Sequence, residues 1–276
     1  MNGLELNKVK MDNESYYKKI KNLNIQHYTG EVPYYSKAAL RLVEEIILTN
    51  LPRESKILDL GCGSGRFSMG ATKLGFNVTG VDITPESVRA AQRRAEDSGI
   101  TNVQFLVGDM TELPFKNGEF DYVFCPHFSI NAVATIEKRK KAIKEMTRVV
   151  KPDGLVFVES FNKFYCGTGP ILPLANIIRD SFRHIKMFLC KLVNKPYGSL
   201  LPGDITYKAN KVDGASDGYA HLPTIFEIKT WIPNGKKYVF LSIPQITKRI
   251  KNDLLKHIRY SIWIVIGENN RINRNK

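Results

Sequence analysis

The sequence predicts an α/β protein built on a mostly parallel sheet with helices between its strands. Three observations carry this prediction. Short apolar runs recur between residues 56 and 160, each too short for a helix. The first three close on a carboxylate, at Asp59, Asp82 and Asp109. Segments of helical periodicity separate them, and strands joined by helices lie parallel, with ligands bound at their carboxyl ends.

In chain order, residues 1–33 are polar and carry the aromatics Tyr16, Tyr17 and Tyr28, with no regular element assigned. Ser36 is placed to cap a helix through about Thr49, with Leu40, Val43, Ile46 and Ile47 at helical spacing and Pro52 as the stop. The run Ile57-Leu58 with Leu60 then breaks into a loop carrying Gly61, Gly63 and Gly65, and a helix follows to about Gly75. Strand, glycine loop and helix make a nucleotide turn, because small residues admit a ligand to the backbone at a helix start. The dinucleotide pattern G-x-G-x-x-G fails at Arg66, and the phosphate loop fails because Arg66-Phe67 follows Gly65.

The next strand, Asn77 to Val81, delivers Asp82, an acidic group suited to a ribose diol. Thr84-Pro85-Glu86 starts a helix that Gly99 ends. Val103 to Val107 leads to Gly108-Asp109-Met110, and Phe120 to Cys125 is a fourth strand. A helix over Glu137–Val150 buries Ile143, Met146 and Val150 and turns Lys138, Arg139, Lys140, Lys141, Lys144 and Arg148 away. After the turn Lys151-Pro152-Asp153-Gly154 comes a fifth strand, Leu155 to Glu159. Ile171 to Val193 is apolar but holds Arg179, Asp180, Arg183, His184 and Lys186, which argues against a membrane span. Its apolar positions Leu174, Ile177, Ile178, Phe182, Ile185, Leu189 and Leu192 trace one helix face; a substrate lid, core packing and membrane-surface contact are the three readings. Leu200 to Tyr219 is read as loop. A helix opened by Thr224 and Glu227, and strands at 238–242 and 261–266, complete the chain.

A chain of 276 residues is long enough for one core with an insertion. The formal charge of +14 suits anionic partners, RNA among them, or simply a solvated lysine-rich surface. Cys62, Cys125, Cys166 and Cys190 form no C-x-x-C pair, so no metal site is assigned and a reduced, cytoplasmic setting is expected. No N-terminal signal is visible in the charged first 21 residues. Nothing in the sequence specifies an oligomeric state.

Asp59-x-Gly61-x-Gly63-x-Gly65 resembles the first motif of class I S-adenosylmethionine (SAM) methyltransferases. Asp109-Met110 resembles their adenine motif, and Arg148-Val149-Val150-Lys151-Pro152-Asp153-Gly154 their R-V-L-K-P-G-G, with Asp153 in place of the first glycine. The resemblance implies a Rossmann-like fold of seven strands closed by an antiparallel last strand, with a helical insertion after strand five. It implies SAM as cofactor, held by Asp59, Gly61, Cys62, Gly63, Gly65, Asp82, Ile83, Asp109, Met110 and Cys125, with Tyr35 as an upstream aromatic. It divides the chain into an arm and cofactor-covering helix (1–52), a SAM-binding core (53–160), an insertion acting as a lid (161–219) and a completion of the sheet (220–276).

In this fold the loop after the fourth strand, Cys125-Pro126-His127-Phe128, faces the methyl group. It lacks the [ND]-P-P-[YF] pattern of amino-methylating enzymes, which argues against adenine or glutamine-amide acceptors. His127 is a candidate general base or a loop residue that shapes the pocket, and His221 is a second candidate. Asp109 to Phe115 and the apolar insertion resemble ubiquinone-biosynthesis-type enzymes acting on small molecules. Thr135-x-Glu137-x-Arg139-x-x-Ala142-Ile143 instead resembles the T-x-E-R-R-x-x-A-I pattern of wobble-uridine tRNA methyltransferases. A non-catalytic SAM-binding partner subunit is the third alternative.

Overall fold

The computed structural model describes residues 13–35, 39–163, 173–193, 200–207, 217–248 and 261–268. The chain opens with α1 (Asn13–Tyr35) and α2 (Leu42–Thr49), then alternates β1 (Lys56–Leu60), α3 (Arg66–Lys73), β2 (Asn77–Asp82), α4 (Pro85–Asp97), β3 (Val103–Val107) and β4 (Phe120–Cys125). Helix α5 (Ile136–Val149) runs directly into β5 (Val150–Phe161). Next come α6 (Pro173–Leu192), β6 (Asp204–Tyr207), β7 (Gly218–His221), α7 (Ile225–Trp231), β8 (Lys237–Ser242), α8 (Ile243–Thr247) and β9 (Ser261–Gly267).

Seven strands form one sheet in the order β3-β2-β1-β4-β5-β9-β8, and β9 runs antiparallel to both its neighbours. This is the sheet expected from the sequence. Strand alternation sends neighbouring residues to opposite faces, so the sheet sorts its apolar residues into two cores. Leu58, Val123, Val156 and Ile264 enter one, while Ile57, Phe124, Phe157 and Trp263 enter the other. Each such side chain, fully buried, is worth roughly 1.5–3 kcal/mol, which makes the continuous apolar strands the main source of stability.

Three expectations need correction. The arm is helical over Asn13–Tyr35, although its side chains lack the apolar stripe that would have marked it. Helix α2 starts at Leu42, where the Glu44 carboxylate accepts from the Arg41 amide at 2.8 Å, and Ser36 lies outside the described residues. Residues 204–207 and 218–221 are antiparallel strands, Asp204 facing His221 across the pair, where a loop was expected. Among the described residues, no helix is long and apolar enough to cross a membrane.

Candidate functional site

A cavity opens at the carboxyl ends of β1, β2 and β3, and Asp59, Asp82 and Asp109 all line it. Its floor is the glycine loop. Gly61 takes φ +72°, and a Cβ there would stand 2.3 Å from the Ser129 hydroxyl. Gly65 begins α3 at φ +81°, against the Phe105 ring. Gly63 also has a positive φ, and nothing lies within 4 Å of where its Cβ would be. At Gly61 and Gly65, left-handed backbone and close approach together call for glycine.

Two carboxylates have distinct roles. Asp82 accepts from the Gly63 amide at 2.8 Å and the Thr84 amide at 2.9 Å, tying the glycine loop to the start of α4. Thr84 thus occupies the N-cap position without a side-chain capping bond of its own. Asp59 is fully buried and accepts from Ser68 Oγ at 2.6 Å through Oδ2, while Oδ1 has no hydrogen-bond partner. Burial pushes its carboxyl up to about 7, against the opposing pull of the Ser68 bond. Ser64 Oγ, on the same cavity wall, is also buried without a partner.

Helix α1 roofs the cavity with Tyr17, Lys21, Asn24, Tyr28 and Val32. Tyr17 Oη donates to Asp109 at 2.7 Å and Lys21 Nζ at 2.8 Å, and Thr111 adds its amide and hydroxyl. Burial opposes the charge on Asp109, but Lys21 and these donors outweigh it and hold the carboxyl below its ordinary range. Asp109, expected to meet adenine, therefore has its oxygens engaged by the roof. Tyr35 ends α1, and its side chain lies outside the described residues.

His127 lines the cavity in a left-handed conformation, φ 53°, followed by Phe128 at φ 63°. Its amide donates to Glu159 at 2.8 Å, and Phe128 stacks on Phe161 with centroids 3.9 Å apart. Glu159 and the fully buried Glu44 share Arg41, and Glu44 also holds Arg66. Burial, then the Arg66 and Arg41 cations, push the His127 imidazole down to about 4, so it is neutral near pH 7.

His221 is buried and outside the cavity lining. Nδ1 lies 2.8 Å from Asp204 and Nε2 2.9 Å from Glu227. Both ring nitrogens of His221, the second candidate base, are thus taken up by carboxylates, and the ring bridges Asp204 and Glu227. Cys125 is packed in the core beneath the loop, and Gly65 shapes the turn without lining the cavity. Cys62, Ile83 and Met110 do line it. Burial raises the Cys62 thiol well above its ordinary range, leaving it no nucleophile. Arg139, expected on the outer face of α5, is buried and donates to the Val133 carbonyl at 2.7 Å. No described residue of α6 lines the cavity, and α1, within the arm of residues 1–52, covers it. Sequence periodicity could not find α1; its aromatics Tyr17 and Tyr28 were the available signal.

The residues fit SAM. An unpartnered carboxylate oxygen at the β1 end suits its methionine ammonium, and each Asp82 oxygen retains acceptor capacity for a ribose hydroxyl. Sheet order, the single reversed strand and a strand-end cleft without a phosphate loop define a class I SAM-dependent methyltransferase fold. A family profile described as a methyltransferase domain matches residues 52–218, and the chain belongs to that family.

Relatives include human EEF1A lysine methyltransferase 2, 30% identical over 144 residues, covering 49% of this chain and 59% of that protein. Norajmaline N-methyltransferase of Rauvolfia serpentina is 32% identical over 141 residues, covering 48% of this chain and 47% of that protein. The chain spans about half the length of the curated relatives it matches. A solved SAM-dependent methyltransferase from Methanosarcina mazei superposes with TM-score 0.54 at 22% identity, covering 83% of this chain and 97% of that one. The CcbJ methyltransferase of Streptomyces caelestis gives 0.57 at 13%, covering 82% and 88%. At these identities the structures establish the fold.

Proposed function

We propose that this chain transfers a methyl group from SAM to a small-molecule acceptor. Supporting the acceptor class is the α1 roof, which covers the cleft with Tyr17, Lys21, Asn24, Tyr28 and Val32. SAM supplies a sulfonium-activated methyl carbon. Bound in the cleft, it would present that carbon to an acceptor lone pair, the carbon–sulfur bond breaking to leave the thioether and the acceptor's proton passing to solvent. Asp59 and Asp82 hold the amine and ribose ends, which fixes the line of attack. His127 Nδ1 and Nε2 belong to a neutral ring, which orients an acceptor N–H or O–H as a hydrogen-bond acceptor and is too weak a base to remain protonated.

The relatives' names divide between protein and small-molecule acceptors. The tRNA reading draws less support. On α5, Arg139 is buried, Lys138 pairs with Glu14 at 2.7 Å and Lys141 with Glu112 at 3.7 Å, which reduces its basic face. Incubation with methyl-labelled SAM and a fractionated extract tests the reading. Label in the small-molecule pool is expected; label only in RNA or protein would overturn the acceptor class, and no transfer at all would favour a non-catalytic SAM-binding subunit.

A further inference from the structure

The three carboxylates of the cavity differ in the accepting capacity they keep. Asp59 Oδ1 has no hydrogen-bond partner. Asp82 takes the Gly63 amide on Oδ2 and the Thr84 amide on Oδ1. Asp109 is filled. Its Oδ1 takes the Thr111 amide at 2.9 Å and the Thr111 hydroxyl at 2.8 Å, and its Oδ2 takes Lys21 Nζ at 2.8 Å. Tyr17 Oη stands 2.9 Å from one oxygen and 2.7 Å from the other. Four donors meet a carboxylate's roughly four lone-pair sites, so a fifth donor enters only by displacing one of them.

Thr111 belongs to the same turn as Asp109, and Tyr17 is buried with Lys138 Nζ 4.5 Å over its ring. Lys21 is the exchangeable donor. It reaches Asp109 from 88 positions away, its side chain is 31% exposed, and water can take up its ammonium on release. Strands β1, β2 and β3 are neighbours in the sheet, so Asp59, Asp82 and Asp109 stand in a row along the cavity. SAM carries three donors in series: methionine ammonium, ribose diol and adenine amine. With the first two at Asp59 and Asp82, the third falls to Asp109. We propose, resting on SAM as the methyl donor, that Lys21 latches α1 over the cleft by holding the Asp109 site that the adenine amine takes. The cofactor then binds by exchanging its amine for the lysine, and Lys21 opposes any ligand with an amine at that purine position.

The experiment is calorimetry of the full chain at about pH 8, where Asp59 is ionised. The ligands are S-adenosylhomocysteine and S-inosylhomocysteine, which carries an oxygen in place of the amine. Lys21→Met should bind S-adenosylhomocysteine about fivefold tighter than the natural chain, the fold-change of a partly exposed ion pair, and S-inosylhomocysteine no tighter. Lys21→Arg keeps a donor for Asp109 and should restore the natural affinity, and unchanged circular dichroism shows that both variants are folded. Unchanged or weaker binding of S-adenosylhomocysteine by Lys21→Met would overturn the latch. So would an equal gain for both ligands, because net charge rather than the amine would then be responsible. No binding of either ligand by the natural chain would overturn the SAM assignment itself, and the latch with it.

Discussion

The floor and the roof of the cavity are built by opposite strategies. The floor is local in sequence: Ser68 reaches Asp59 across 9 positions and Gly63 reaches Asp82 across 19. The roof is held from far away. Tyr16 donates to Asp204 across 188 positions at 2.6 Å, and the Tyr219 amide donates to Asn24 across 195. Asn24 also donates to the Ala132 carbonyl at 2.9 Å. A floor of neighbouring backbone groups is positioned by the strands themselves. A roof stapled by buried side chains depends on the junction of α1, β6 and β7.

The strongest way to break this comparison is His221→Ala. It leaves the buried Asp204 and the partly buried Glu227 without the ring that bridges them, at a cost of about 3–5 kcal/mol. Chemical denaturation should show the loss, while SAM affinity under native conditions stays within about threefold if floor and roof act separately. A parallel tenfold fall in affinity would mean that the roof shapes the floor. The same junction sets an acid limit. Burial opposes ionisation of Asp204 and Glu227, but His221 and the neighbouring donors outweigh it and lower both. Their contribution is therefore complete above the ordinary carboxylate range of about 4 and is lost as pH falls below it. The natural chain should lose stability there more steeply than the alanine variant.

Next in size is Asp82→Ala, which removes the link between the glycine loop and α4. SAM binding should weaken at least a hundredfold, about 2.7 kcal/mol, by calorimetry; unchanged affinity would remove Asp82 from the cofactor site. Asp59 provides a sharper probe. With its carboxyl raised to about 7, the folded state binds a proton that the unfolded state has released between about pH 4 and 7, so its contribution to stability declines as pH rises through that window. SAM's ammonium needs the ionised form, so affinity should fall about tenfold per pH unit below 7. Asp59→Asn should flatten that slope, and a slope that persisted would assign the titration elsewhere. The smallest effect is expected from Tyr17→Phe. Loss of its bond to Asp109, with Lys21 and Thr111 remaining, should cost about 1 kcal/mol of stability.

Much of the floor was legible before any coordinates. Positive φ at Gly61, Gly63 and Gly65 and the acids at strand ends are read from residue types at fixed offsets, because a left-handed turn between strand and helix admits few alternatives. The roof was not legible. Helix α1 has no apolar periodicity, since both its sides meet polar partners: Tyr16 turns to Asp204 and Tyr17 to Asp109. Arg139 misled for a related reason. Its charge reads as exposed, yet the Val133 carbonyl, Glu227 and the Trp231 ring satisfy it inside.

By itself, the sequence determined the sheet, its strand-end carboxylates and the glycine floor, because those depend on strand period and on left-handed backbone conformations that glycine adopts most readily. Tertiary structure alone decided what the polar side chains do. It set His221 between two carboxylates, buried His127 where desolvation and then two arginine cations hold its imidazole low, and left the apolar side of α6 facing outward. Those outcomes rest on groups that meet only in the folded chain, as His127 meets the fields of Arg66 and Arg41. Burial and charge act through space, and sequence period carries no record of such meetings.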